Sequence, residues 1–130
     1  MKIYLFVYGT LRKQQINHYM MRNYPCIAEN MWIYGKLYDA GVGYPFLSLD
    51  KGNERVRGEV FEVPAADLHL LDEFEDYTPG DQNSLYIRVE VEVYGQEKPL
   101  MAFTYACNKE EMLLEEIEGH DWTVFSRFSQ

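Results

Sequence analysis

Two features of this sequence have residue types and spacing suited to chemistry. Leu68, Leu71, Asp72 and Glu75 fall at i, i+3, i+4 and i+7, so on a helix they share one face. A carboxylate on an apolar helix face has two readings. Either it is solvated or salt-bridged at a frayed end, or it sits in a partly dry place where desolvation raises its pKa toward values useful for proton transfer. Asp72, on the same face, caps the helix or pairs with a base such as Arg88. The second feature is Tyr8-Gly9-Thr10-Leu11, directly after an apolar run. A glycine there lets backbone approach a ligand and bares successive N–H groups that can hold an anion. An ordinary strand-ending turn is the competing reading.

Other reactive side chains are scattered. His18, His69 and His120 lie in three segments without ligand spacing, so no metal site is expected; His18 follows the Tyr8 turn and can help shape it. Cys26 and Cys107 fit neither a disulfide framework nor a zinc motif, and nothing beside either resembles an activated thiol. Tyr8, Tyr86 and Tyr105 are candidates to line a pocket, with packing as the alternative among 11 tyrosines. Arg88 is expected to pair with Glu90 or Glu59 on neighbouring strand positions. Gly41-Val42-Gly43 lacks the third glycine and the helix of a dinucleotide site.

Short elements must position these groups. Residues 3–8 form an unbroken apolar run, read as a strand covered on both faces. Ile16, Tyr19 and Met20 suggest a helix with one apolar stripe. Residues 31–38, 46–49 and 55–63 read as strands, and Gly58 inside the last marks a bulge or a close backbone approach. Pro64 opens a helix over residues 65–75. Leu85, Ile87, Val89, Val91 and Val93 alternate with Tyr86, Arg88, Glu90, Glu92 and Tyr94, giving a strand with one core face, and a turn at 95–98 pairs it with residues 100–106 as a hairpin. Asn108 and Glu111 look like a capping box for a helix through Ile117. The aromatic segment 120–130 is expected to close one end of the fold.

The 130 residues carry 21 acidic against 12 basic side chains, a net charge of −9. With 47% hydrophobic residues the chain can build one core without a disulfide or metal. A single α+β domain on a mixed, barrel-like sheet is predicted. Scattered, outnumbered cations disfavour nucleic acid and anionic membranes as partners. The apolar run at 3–8 is too short for a signal peptide or a membrane span, and a cytoplasmic monomer is expected.

In this order the motifs resemble the γ-glutamylcyclotransferase superfamily of the AIG2-like type, nearly end to end. Its opening is similar to Tyr8-Gly9-Thr10-Leu11 with Asn17-His18. Further tags are Gly35-Lys36-Leu37-Tyr38, Gly43-Tyr44-Pro45, Val56-Arg57-Gly58-Glu59-Val60, Leu71-Asp72-Glu73-Phe74-Glu75, Tyr86-Ile87-Arg88, Tyr105 and Asp121-Trp122. The resemblance implies Glu75 as the catalytic glutamate, Tyr8, Gly9, Thr10 and Leu11 as the substrate-binding loop, and a small mixed β-barrel with helices. It also implies cyclisation of a γ-glutamyl amine or amino acid to 5-oxoproline with release of the amine, which needs no redox cofactor, nucleotide or metal. Two departures bear on the pocket: Asp76 stands where the family usually has glycine, and residues 78–83 make a longer polar connection. The alternative is a catalytically silent module that binds a small metabolite or a protein through the same pocket.

Overall fold

The computed structural model describes residues 1–50 and 54–128, without the side chain of Phe128. Eight strands and two short α-helices follow in the order β1 (Lys2–Val7), β2 (Cys26–Tyr34), β3 (Lys36–Asp39), β4 (Pro45–Ser48), β5 (Arg55–Pro64), α1 (Leu68–Phe74), β6 (Tyr86–Val93), β7 (Leu100–Cys107), β8 (Glu115–Glu116) and α2 (Trp122–Phe128). The main sheet has the order β2-β5-β1-β7-β6, with β1 parallel to β7 and the other pairs antiparallel. Its edges meet where Trp32 and Tyr94 exchange backbone hydrogen bonds of 2.8 and 3.0 Å. The sheet is therefore strongly curled and barrel-like but joined at one end alone, as the α+β expectation requires. A second sheet, β4-β3-β8, flanks it.

The central position of β1 explains its apolar run: Leu5, Phe6 and Val7 are all buried, and they feed two clusters of core side chains on opposite faces of the strand. The β6–β7 hairpin has the expected register, Ile87 opposite Ala106 and Val93 opposite Leu100. Gly58 marks a close approach: a Cβ there would stand 2.1 Å from the Val7 carbonyl oxygen and 2.7 Å from the Phe6 ring.

Three expectations are corrected. The run 31–38 is two strands, β2 and β3, with buried Gly35 between them. Residues 10–21 form turns and a 3₁₀ segment, His18–Met21, in which Ile16 and Tyr19 are exposed and Met21 is buried. The Asn108–Glu111 capping box does not form. Asn108 instead donates its side-chain amide to the carbonyls of Gln82 and Ser84, and a 3₁₀ turn and β8 follow, because Ile117 is drawn into the core and its N–H bonds Leu37. The aromatic segment contributes α2, whose Trp122 and Phe125 pack on the core; residues 129 and 130 lie outside the described residues.

Candidate active site

Three elements bring the candidate groups together. β1 ends at Val7, and the turn that follows carries Tyr8, Gly9, Thr10 and Leu11 along one wall of a cavity of about 310 Å³. The turn is built from its own groups: Asn17 donates its backbone N–H to the Thr10 carbonyl and its side-chain amide to the Thr10 hydroxyl, both at 3.0 Å. His18 Nδ1 lies 3.0 Å from the Leu11 carbonyl oxygen, so this histidine does shape the turn. The N–H groups of Gly9, Thr10 and Leu11 donate to no acceptor among the described residues. Gly9 is required by a close approach, since a Cβ there would lie 2.9 Å from the Pro45 ring.

α1 delivers the carboxyl group. Leu71 and Asp72 are buried on its inner face, and Glu75 closes it as the residue after the last turn, its N–H bonded to the Leu71 carbonyl at 2.9 Å. Glu75 lines the cavity with Phe74 and Asp76. Its carboxyl makes no hydrogen bond or ion pair among the described residues, and burial alone pushes its pKa up to about 7. Of the two sequence readings, the partly dry one describes this site, with Glu75 half-buried and unpaired. Asp76 takes the left-handed conformation, φ +52°, that the family glycine would supply, so the chain still turns after Glu75 and the carboxyl stays at the cavity. No residue of the polar connection 78–83 lines the cavity; Asp76 before it and Leu85 after it do.

Tyr8, with Tyr86 and Tyr105 from β6 and β7, also lines the cavity, and each has spent its proton on the protein. The Tyr8 hydroxyl donates to the Tyr105 carbonyl, Tyr86 to the Pro45 carbonyl at 2.7 Å and Tyr105 to Asp72 Oδ1 at 2.7 Å. Burial raises all three pKa values, reinforced by the nearby Glu75 charge and, for Tyr105, more strongly by its hydrogen bond to Asp72, so none is available as a base near neutrality. Asp72 is thus a positioning group beneath the cavity, held also by Arg88, whose guanidinium sits 5.7 Å from the Tyr77 ring centre and 5.5 Å from that of Phe103. Arg88 pairs with Asp72, not with Glu90 or Glu59. Glu59 is buried and accepts Arg12 Nε at 2.6 Å and the Lys13 N–H at 3.0 Å, and Arg12 also binds Asp121 at 2.8 Å.

Sequence reasoning gave no site role to Tyr44, Pro45, Phe74, Leu85 or Thr104, which also line the cavity; Tyr44, Pro45 and Phe74 stood in motifs and Leu85 on the apolar face of a strand, whereas Thr104 carries no local signal. Both thiols are pushed up chiefly by burial, and Cys107 donates to the Lys109 carbonyl, so neither is an activated nucleophile. Among the described residues no three metal-ligating side chains cluster, and no helix is long and apolar enough to cross a membrane.

A curled mixed sheet thus holds one unpaired carboxyl and a turn of unpaired N–H groups on the lining of one cavity. The pattern of the γ-glutamyl cyclotransferase, AIG2-like family matches residues 5–124, and the chain belongs to that family. It is 39% identical over 122 residues to the γ-L-glutamyl-butirosin B γ-glutamyl cyclotransferase of Niallia circulans, covering 93% of this chain and 76% of that one. The crystal structure of YkqA from Bacillus subtilis superposes with a TM-score of 0.79 at 30% identity, over 99% of this chain and 42% of that larger one. An AIG2-like protein from Mus musculus gives a TM-score of 0.70 at 26% identity, covering 91% of this chain and 86% of the other.

Proposed function

We propose that this protein cyclises the γ-glutamyl group of a γ-glutamyl amine or amino acid to 5-oxoproline and releases the amine, with Glu75 as the proton carrier. The observation that carries this reading is the unpaired Glu75 carboxyl, pushed up to about 7 by burial and lining the same cavity as the free backbone donors of residues 9–11. The α-ammonium of such a substrate must lose a proton before its nitrogen attacks the γ-carbonyl carbon. A carboxylate with a pKa near the working pH accepts that proton well and can return it to the departing nitrogen as the C–N bond breaks. Both reacting groups belong to one molecule, so holding the glutamyl chain curled supplies much of the rate.

The N–H groups of Gly9, Thr10 and Leu11 are suited to the developing oxyanion or to the α-carboxylate; each donor at an oxyanion is typically worth about a hundredfold or more. The tyrosine oxygens, their protons already committed, can accept from the substrate ammonium. The family membership and the relative named for γ-L-glutamyl-butirosin B support a γ-glutamyl substrate. The test is mass-spectrometric detection of 5-oxoproline from a panel of γ-glutamyl amino acids and amines. Release by the wild type and a loss of about a thousandfold in Glu75→Gln are expected; equal rates in the two proteins would refute the role of Glu75, and no release across the panel would refute the reaction.

A further inference from the structure

Cyclisation accounts for the glutamyl half of a substrate and leaves its amine half without a place. A second hollow, of about 500 Å³, adjoins the Glu75 cavity. Thr10 lines both. The loop that gives Asn17 to the first cavity gives Gln14, Gln15 and Ile16 to the second, and Gly43 faces the second where Tyr44 and Pro45 face the first. The far wall is α2, through Trp122, Thr123, Ser126 and Arg127. With an acyl group seated against Glu75 and the scissile nitrogen beside it, the substituent on that nitrogen would extend past Thr10 into this space.

The lining states what it would accept. It holds two carboxamides, hydroxyls and one guanidinium, and no carboxylate. The carboxylate nearest in sequence, Asp121, is committed to Arg12 at 2.8 Å and to the N–H groups of Thr123 and Val124 at 3.1 and 3.3 Å. Gln15 is anchored by the Trp122 indole N–H at 3.1 Å. Thr123 Oγ1 is buried with no hydrogen-bond partner, a spare polar group that a turn between the two χ1 rotamers open to a helical threonine would present. Arg127 is exposed and has no carboxylate partner among the described residues.

We infer that this hollow is the leaving-group subsite, and that it takes a bulky, hydrogen-bonding amine with no positive charge beyond the reacting nitrogen, its carboxylate where present meeting Arg127. The inference rests on the cyclotransferase reading. Interactions remote from the reacting centre can be used to lower its barrier, so an occupied subsite shows in kcat/KM. The test measures kcat/KM for γ-glutamyl-methylamide, γ-glutamylglutamine and γ-glutamylspermidine with the wild type, Ser126→Trp, which fills the hollow, and Thr123→Val, which removes the hydroxyl at equal volume; circular dichroism checks that each variant is folded.

The wild type is expected to prefer γ-glutamylglutamine to both others by about tenfold or more. Ser126→Trp should cut its preference over the methylamide by about tenfold and Thr123→Val by about threefold. If Ser126→Trp does not fold, Thr123→Val decides. Cyclisation with the same preference in the folded variants, or with spermidine as the best leaving group, overturns the subsite alone. No 5-oxoproline from any of the three substrates overturns the cyclotransferase reading and the subsite with it.

Discussion

A carboxyl group whose pKa is pushed up by burial destabilises the fold that holds it, because the folded state keeps a proton that the unfolded chain gives up. For Glu75 the ordinary value is 4.5 and the folded value about 7. Below pH 4.5 both states are protonated and nothing is lost. Between 4.5 and 7 stability falls as pH rises, and above 7 the loss levels off, of order 3 kcal/mol for a shift of this size. Glu75→Gln removes the titration, so the variant should be more stable than the wild type by about 3 kcal/mol at pH 8 and by almost nothing at pH 4.5. Thermal unfolding of both proteins across that range checks this. A Tm difference independent of pH would mean that the carboxyl is solvated. The Glu75 of the sequence was legible as a residue on an apolar helix face, but spacing did not separate a dry carboxyl from a wet one. That distinction comes from Tyr8, Tyr86 and Tyr105, on other elements, which line the cavity with it.

The site depends on the β1–β5 pairing, since the turn at Tyr8 leaves from the end of β1. Gly58 sits where β5 crosses the last residues of β1, and its missing Cβ is what lets the Val7 carbonyl approach. Gly58→Ala should cost about 3 kcal/mol, read from the urea midpoint by circular dichroism, because backbone rather than a flexible side chain must yield. This glycine, the alternating β6 and the β6–β7 hairpin were all legible, each set by a period or a residue type that its own strand enforces. The segments misread were those whose shape is imposed from outside. Ile16, Tyr19 and Met20 have helical spacing, yet the chain there turns to satisfy Thr10 and Leu11. Asn108 and Glu111 have capping spacing, yet the Asn108 amide is spent on the carbonyls of Gln82 and Ser84 and Ile117 is pulled into the core. Short helices have little intrinsic stability to oppose such demands.

At the scale of the whole molecule, Arg12 ties the loop after β1 to β5 through Glu59 and to the start of α2 through Asp121. Glu59 is 4% exposed, so Arg12→Met would leave a buried carboxylate with only the Lys13 N–H. The expected cost is about 3 kcal/mol, a fall in Tm of roughly 10 °C, together with a lower kcat/KM as the loop loses its anchor. An unchanged Tm would show that the ion pair is dispensable. This network ties the turn after β1 to the main sheet and to the start of α2. The central claim, that Glu75 moves the proton in γ-glutamyl cyclisation, is tested most directly by the pH dependence of kcat/KM for 5-oxoproline release, which reports groups of the free enzyme. The account predicts a rate that climbs about tenfold per pH unit to a bend near 7 and levels above it, the limb being lost in Glu75→Gln. A profile flat from pH 5.5 to 8, or the same bend in the variant, would contradict it.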